Sequence, residues 1–214
     1  MPEVAPATVL PAHITAVVFD VGETLVDETR AWSAQADAAG VTRLTLFSAL
    51  GALIERGEDH RKVWELLSTE PPRVECPIEP QDFYPDSLDC LARLSAAGYA
   101  LGLAGNQPLH TEAALLELGL PVTFVASSTR WGVEKPSAEF FERVALEAQR
   151  APEQIAYVGD RLDNDVIPAR RAGMWAVFLR RGPWGYLHAR LPEARQADAR
   201  IDSLAQLLPD PARV

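Results

Sequence analysis

Four groups of polar residues in this chain have the types and positions needed for chemistry on an anion with the help of a metal ion. They are Asp20, Gly105 with Asn106, Lys135, and Asp160 with Asp165. Each group lies at or downstream of the end of a short apolar run that is typical of a buried parallel strand. Clustered carboxylates suit a hard, oxygen-liganded cation such as Mg²⁺, and a lysine supplies a positive charge that contacts an anionic substrate.

These groups can meet in space although they are far apart in the sequence. The carboxyl ends of parallel strands share one edge of a sheet, which is where open α/β proteins bind their ligands. A purely structural interpretation gives Asp160 and Asp163 turn or capping roles and makes Lys135 a surface charge. That interpretation explains each residue singly, but it does not explain why all four groups follow strands.

The elements that must position these residues alternate between strand and helix. The sequence predicts strands over 14–19, 99–104, 122–126, 155–158 and 175–179, and a last short strand and helix around 199–208. Helices are predicted between them, beginning near Asp86, at Pro108, after a Ser137 cap and at about Asp163. Repeated strand–helix alternation predicts an α/β fold with a doubly wound, Rossmann-like parallel sheet.

The stretch between the first two strands has a different pattern. From about residue 28 to 67, apolar residues recur at three- and four-residue spacings, and Gly40 and Gly57 divide the run into about three helices. Residues 70–80 contain four prolines and indicate a linker that returns from an insertion. We therefore expect an α/β core at 14–27 and 81–210, an inserted helical segment at 28–80 and an N-terminal lead-in at 1–13.

The composition restricts the class of partner. The formal net charge of −10 argues against a general attraction to nucleic acid or to an anionic membrane. Cys76 and Cys90 suit neither a disulfide framework nor a metal-ligand pattern. No apolar run approaches the length needed to span a bilayer, and the first residues lack the basic region of a signal peptide, so we expect a cytoplasmic protein. The sequence does not indicate an oligomeric state.

Three motifs, taken in this order, resemble those of the haloacid-dehalogenase superfamily. They are Val-Val-Phe-Asp-Val-Gly-Glu-Thr-Leu at 17–25, Val-Glu-Lys-Pro at 133–136 and Tyr-Val-Gly-Asp-Arg-Leu-Asp-Asn-Asp at 157–165. The pair of aspartates separated by four residues in the third motif is specific to this superfamily. The resemblance extends from Ile14 to about Leu208, and it implies a hydrolase whose segment 28–80 is the helical cap of the family.

The resemblance also implies roles for individual residues. Asp20 resembles the nucleophile, which forms a covalent aspartyl intermediate. Mg²⁺ would be bound by Asp20, the backbone carbonyl of Gly22 and Asp160, with Asp165 as a direct or water-mediated ligand. Lys135 would pair with the nucleophile and with substrate oxygens.

The first and second motifs of this chain depart from those of the family phosphatases. The second motif would contact the transferring group through Asn106, but it carries Gly105 where those enzymes have serine or threonine. Gly22 stands where they have a second aspartate as general acid and base. A lost proton donor costs about 10²–10⁴ in rate and a lost hydrogen-bond donor about 10²–10³, so we expect weakened acid/base function. Glu23 adjoins this position, but it occupies a usual glycine site, and we expect it not to replace the acid.

The leading hypothesis is a Mg²⁺-dependent phosphatase that acts on a small phosphorylated metabolite. One alternative is a carbon–halogen hydrolase, because dehalogenases of the superfamily also lack the second aspartate, although they need no Mg²⁺. Another alternative is a catalytically degenerate member that binds a ligand or a protein.

Two further regions could approach the substrate. In the inserted segment, the residues that could face the site are Trp32, Arg56, His60, Arg61 and Trp64. The segment 180–186, Arg-Arg-Gly-Pro-Trp-Gly-Tyr, could bind an anion or an aromatic group, but we predict that it forms an ordered surface loop.

Overall fold

A six-stranded parallel sheet lies at the centre of the structure, a computed structural model that describes residues 9–207. The strands are β1 Ala16–Phe19, β2 Ala100–Gly105, β3 Phe124–Ser127, β4 Ile155–Gly159, β5 Trp175–Leu179 and β6 Ala199–Ile201. Their order across the sheet is β3-β2-β1-β4-β5-β6, with parallel pairing throughout. This arrangement confirms the doubly wound α/β fold.

Helices flank the sheet and fill the long connection between β1 and β2. They are α1 Thr29–Ala38, α2 Arg43–Glu55, α3 Val63–Leu66, α4 Ser87–Ala96, α5 Leu109–Glu117, α6 Ser128–Trp131, α7 Ala138–Ala148, α8 Ile167–Arg171 and α9 Gly182–His188. A π-helical turn, Leu162–Val166, leads into α8. Within residues 9–207, no single helix is long and apolar enough to span a bilayer; α1 and α2 meet that criterion only as a pair bent by 115°.

The central strand β1 is apolar on both faces. Val17 and Phe19 pack into the hydrophobic cluster on one side of the sheet, and Ala16 and Val18 pack into the cluster on the other side. Burial on both faces is what a continuous apolar run requires of a strand in a parallel sheet. Because β1 lies between β2 and β4, the strand order reverses beside it, and a ligand crevice is expected at its carboxyl end.

The first three helices after β1, α1 to α3, have a hydrophobic core of their own. Leu46, Leu53 and Val63 are buried there, and Trp64 is one of its members. Side chains that recur every three or four residues place one apolar face of each helix toward this core. The return to the sheet runs through irregular backbone and a short 3₁₀ turn, Pro80–Asp82, as the prolines predicted. The domain boundaries at 28 and 80 remain predictions.

The structure differs from the sequence prediction mainly at the segment 180–186. Residues 182–186 of this segment form the start of α9 instead of a surface loop, with Pro183 in the first turn, where the missing N–H of proline costs nothing. Trp184 is buried, so burial of its ring favours the helix over a solvated loop. Both cysteines are free thiols in this structure. Residues 1–8 of the predicted lead-in at 1–13 and residues 208–210 of the predicted core lie outside the described part of the chain.

Candidate active site

Three of the four predicted polar groups lie together at the carboxyl edge of the sheet. Asp20 directly follows β1, and its N–H donates to the carbonyl of Val158 at 2.9 Å. Gly105 is the last residue of β2, and Asp160 directly follows β4. Because β2 and β4 are the two neighbours of β1, these residues come together at the centre of the edge.

Lys135 joins this group from the segment between α6 and α7. Its Nζ lies 2.7 Å from Oδ1 of Asp20 and 2.6 Å from Oδ1 of Asp165. The rings of Phe140 and Tyr157 lie beneath it, with centroids 5.9 and 5.7 Å from Nζ, and the residue is only 3% exposed. Burial alone would lower the pKa of Lys135, but the carboxylates of Asp165 and Asp20 hold it well above its usual value. The lysine is therefore a fixed cation between two carboxylates.

The side chain of Asn106 holds the backbone of Lys135. The amide Oδ1 accepts a hydrogen bond from the N–H of Lys135 at 2.8 Å, and Nδ2 donates to the carbonyl of Lys135 at 3.0 Å. Both polar atoms of the amide are thus engaged in positioning the lysine. The contact between Asn106 and the transferring group stays a prediction. In this structure, the side chain of Asn106 hydrogen-bonds to the backbone of Lys135.

Asp160 and Asp165 complete a buried acidic cluster with Asp20. One carboxylate oxygen from each of the three residues lies within 4.8 Å of the others. Asp165 is held by Lys135 through Oδ1 and by the N–H of Arg161, which donates to Oδ2 at 3.0 Å. In contrast, Oδ2 of Asp160 is buried and accepts no hydrogen bond from the described residues. Burial and the neighbouring carboxylates Asp165 and Asp20 raise the pKa of Asp160 well above its usual value, and burial raises that of Asp165 to about 6.

This cluster has the donor set of a site for a divalent cation. With all three carboxylates ionised, one lysine would leave two negative charges uncompensated, and the unpaired oxygen of Asp160 needs a partner. Buried charges are normally paired or coordinated to a metal ion. Carboxylate oxygens are ligands that Mg²⁺ prefers, so the residues fit the predicted ion. Gly22, the predicted carbonyl ligand, lines the same cavity as Asp20 and Asp160.

The two glycines that depart from the phosphatase pattern are both closely packed. A Cβ atom at Gly105 would lie 2.6 Å from Oδ1 of Asp20, so a serine or threonine here would displace the carboxylate. A Cβ atom at Gly22 would lie 2.6 Å from Oε1 of Glu28. The carboxyl group of Glu28 therefore occupies the space into which a side chain at position 22 would extend.

Glu23 is engaged in the turn that follows the first motif. Its backbone adopts a left-handed conformation, with φ of 54°, which is uncommon for a residue with a Cβ atom. The hydroxyl of Tyr84 donates to Oε2 at 2.7 Å, and the N–H of Glu28 donates to Oε1 at 3.0 Å. Burial raises its pKa, although these two hydrogen bonds oppose the rise. With both oxygens accepting hydrogen bonds from the protein, the carboxylate of Glu23 holds the turn together.

Glu28 is the residue at this site that the sequence prediction missed. It precedes α1 instead of following a strand, so no strand-end pattern indicates it. Burial and the carboxylates of Glu23 and Asp20 raise its pKa to about 7. The indole N–H of Trp32 donates to its Oε2 at 3.4 Å.

Two adjoining cavities lie at this edge of the sheet, one of about 280 Å³ lined by Asp20 and Asp160 and one of about 530 Å³ lined by Lys135 and Asp163. Trp32 and His60 from the inserted helices line the smaller one, and Arg61 lines the larger one. Of the other residues proposed to face the site, Arg56 is not among those that line either cavity, and Trp64 is buried in the core of the inserted helices.

The unpredicted helix α9 also contributes to these cavities. The ring of Trp184 packs edge-on against His60, with centroids 5.2 Å apart, and the guanidinium of Arg161 lies 4.9 Å from the centroid of Trp184. The cavities are therefore closed on one side by an aromatic contact between the inserted helices and the sheet region.

Comparison with known proteins agrees with the motifs. A family model for haloacid dehalogenase-like hydrolases matches residues 14–173. The glyceraldehyde 3-phosphate phosphatase of Methanopyrus kandleri is 32% identical over 206 residues, which cover 83% of this chain and 88% of that protein. Further relatives of that name are matched over 54% and 52% of their own length.

Solved structures with the same fold include both phosphatases and dehalogenases. A HAD phosphatase from Thermococcus onnurineus matches with a TM-score of 0.61 and 22% identity, over 91% of this chain and 96% of that one. A dehalogenase matches with a TM-score of 0.66 and 18% identity, over 92% of this chain and 97% of that one. At these identities the structures establish the fold and leave the reaction open. The family model and the Methanopyrus relative go further: this chain belongs to the haloacid dehalogenase-like hydrolases.

Proposed function

We propose that this hydrolase is a Mg²⁺-dependent phosphatase that acts on a small phosphorylated metabolite through a covalent intermediate on Asp20. The observation that carries the proposal is the cluster of Asp20, Asp160 and Asp165 around Lys135, in which one buried oxygen of Asp160 has no protein partner. A dehalogenase needs no metal ion, whereas three clustered carboxylates with one unpaired buried oxygen match the ligands of a divalent cation. The cluster therefore favours phosphoryl transfer.

Each residue at the edge of the sheet has a role in this reaction. A bound Mg²⁺ ion, held by Asp20, Asp160 and the carbonyl of Gly22, with Asp165 direct or through water, would reduce the repulsion between carboxylate and phosphoryl oxygens. Asp20 attacks phosphorus, the bond to the leaving oxygen breaks, and water later releases phosphate from Asp20. Lys135 fixes the orientation of Asp20 through its 2.7 Å contact and offsets the charge of the phosphoryl group.

The two cavities at this edge of the sheet support a small substrate. Their volumes of about 280 and 530 Å³ suit a molecule of metabolite size. The relative from Methanopyrus kandleri is named for glyceraldehyde 3-phosphate, which makes this three-carbon phosphate the first metabolite to test. We also propose that residues 28–80 form the cap over the site, because Trp32, His60 and Arg61 reach the cavities from this segment.

The proposal is tested by measuring phosphate release from p-nitrophenyl phosphate and from glyceraldehyde 3-phosphate, with Mg²⁺ and with a chelator. We expect Mg²⁺-dependent release that Asp20→Asn abolishes. Glu55→Gln is a suitable control, because Glu55 pairs with Arg190 on the surface and lines neither cavity. Halide release from a 2-haloacid without Mg²⁺ would establish the dehalogenase instead. Tight binding of a phosphorylated ligand without turnover of any ester would establish a degenerate binding protein.

A further inference from the structure

The space next to Gly22 is filled by a carboxyl group from elsewhere in the chain. A Cβ atom at position 22 would lie 2.6 Å from Oε1 and 2.7 Å from Cδ of Glu28. These distances are shorter than any normal contact, so a side chain at position 22 and the present position of the Glu28 carboxyl exclude each other. A phosphatase with aspartate at this position would direct its acid into the volume that Glu28 occupies.

The backbone between these two residues is folded so that Glu28 returns to the strand end. Gly22 pairs with Val26 in an isolated bridge, and the N–H of Glu23 donates to the carbonyl of Val26 at 2.7 Å. Glu23 then accepts the N–H of Glu28, and Tyr84 anchors the other oxygen of Glu23. The left-handed Glu23 thus acts as a positioning residue for the start of α1.

The side chain of Glu28 has no structural role that would explain its position. It precedes the first residue of α1 but makes no capping hydrogen bond to that helix. The contact from Trp32 at 3.4 Å is long for a hydrogen bond, and it engages Oε2 and not the Oε1 atom that faces Gly22. Glu28 lines the same cavity as Asp20 and Lys135. A carboxyl group in the reaction cavity with weak internal contacts is available to a substrate.

We propose that Glu28 is the general acid and base of this enzyme, in the position left open by Gly22; this inference rests on the phosphatase function proposed above. In the first step Asp20 attacks phosphorus, the bond to the ester oxygen breaks, and that oxygen takes the proton of the Glu28 carboxyl group. In the second step the Glu28 carboxylate takes a proton from water, whose oxygen attacks phosphorus. The bond between phosphorus and Asp20 then breaks, which releases phosphate and leaves Glu28 protonated again.

This role changes the sequence-based expectation of weakened acid/base function. With Glu28 as donor, a basic leaving group receives a proton in the native enzyme. Removing the donor should therefore affect a poor leaving group much more than a good one. Phenyl phosphate and p-nitrophenyl phosphate form a matched pair, because they have almost the same size but phenolate is the poorer leaving group.

The test compares kcat/KM of the native enzyme and of Glu28→Gln with both esters. We expect Glu28→Gln to lower kcat/KM for phenyl phosphate by about 10²-fold or more, and that for p-nitrophenyl phosphate by less than about tenfold. The second step also lacks its base, so p-nitrophenyl phosphate should give a burst of one nitrophenolate per enzyme, with phosphate trapped on the protein. A role in folding alone would produce neither the burst nor the difference between the esters.

Two further variants keep the test decisive. Asp27→Asn removes a charge next to Glu28 but leaves its carboxyl group in place, and it should leave the ratio of the two kcat/KM values unchanged. Gly22→Asp combined with Glu28→Ala returns a carboxyl group to the family position. This double variant should hydrolyse phenyl phosphate with a kcat/KM at least about tenfold higher than that of Glu28→Ala alone.

The outcomes separate this inference from the phosphatase proposal. A native enzyme that hydrolyses both esters through Asp20, with the same ratio in Glu28→Gln, would overturn the role of Glu28 and leave the phosphatase function standing. A native enzyme that releases phosphate neither from these esters nor from glyceraldehyde 3-phosphate would overturn both. If Glu28→Gln does not fold, Glu28→Asp, with a shorter reach toward Gly22, should show the same selective loss on phenyl phosphate.

Discussion

Replacement of Asp160 by asparagine should stabilise the metal-free protein, although Asp160 is proposed to bind the metal ion. Its carboxylate is 1% exposed and has one unpaired oxygen, and it lies within 4.8 Å of the carboxylates of Asp20 and Asp165. At this distance and an effective dielectric constant of about 20, each repulsion amounts to about 3.5 kcal/mol. Lys135 compensates part of the two repulsions. We therefore expect Asp160→Asn to raise the free energy of unfolding by about 1–3 kcal/mol in the presence of a chelator.

Magnesium should reverse this order of stability. A ligand at one hundred times its dissociation constant stabilises the state that binds it by about 2.7 kcal/mol. For a chain of this size, each kcal/mol shifts Tm by about 2–4 °C, so the native protein should gain about 5–11 °C. Asp160→Asn should gain nothing, because one of the three carboxylates proposed to bind the ion has been removed. Thermal melts monitored by circular dichroism, with Mg²⁺ titrated to saturation or with chelator, measure both effects.

A matched substitution in the same turn serves as the control. Asp163 pairs with Arg161 at the surface, and its side chain is 60% exposed, so Asp163→Asn should change neither the metal-free stability nor the response to Mg²⁺ by more than about 1 kcal/mol. The reasoning is refuted if Asp160→Asn is less stable than the native protein in chelator while Mg²⁺ shifts neither melt. In that case the acidic cluster is neither strained nor a metal site.

Two other predictions concern residues that support the site. Tyr157→Phe should lower the free energy of unfolding by about 1–3 kcal/mol, measured by urea titration, because the buried carbonyl of Ala104 loses the hydroxyl that donates to it at 2.8 Å. Asp86→Asn should cost about 2 kcal/mol near neutral pH, because Asp86 accepts hydrogen bonds from Arg181 and Ser203. Burial alone would raise the pKa of Asp86, but these contacts lower it overall, so its contribution is complete above the unfolded-state pKa of about 4 and is lost as pH falls through the lower native value. In urea titrations of both proteins from about pH 7 to about pH 3, the difference in the free energy of unfolding should therefore narrow toward the acid end. A constant difference would contradict the assignment.

The sheet was predictable because its strands carry their signal locally. The run Trp175–Leu179 is bounded by Gly173 on one side and by two arginines on the other, and the structure places β5 over those same five residues. The ends of a strand are harder to predict where apolar residues continue beyond the residues that pair with the neighbouring strand. The strand expected from Val122 begins at Phe124, because the pairing with β2 starts only at Gly102.

The rest of the site could not be predicted because it depends on contacts between distant segments. Glu28 was missed since its position follows from the turn at Glu23 and from the space that Gly22 leaves, and neither has a sequence pattern. The helix α9 was predicted as a loop because two glycines and a proline usually interrupt regular structure. Here Trp184 contributes buried surface against the inserted helices, and this tertiary gain outweighs the weak local preference.

The close approach of Glu28 to Gly22 has a consequence for how members of this family are compared. An alignment scores each position by itself, and in this chain it finds glycine where the acid is expected. In three dimensions the same location holds a carboxyl group that belongs to a residue six positions further along. Glu28 also marks the point at which the chain leaves the sheet for the inserted helices, so the position of this carboxyl group depends on how α1 begins. Comparing family members by the positions of their carboxyl groups in space, and not by alignment column, would identify relatives in which another residue supplies this group.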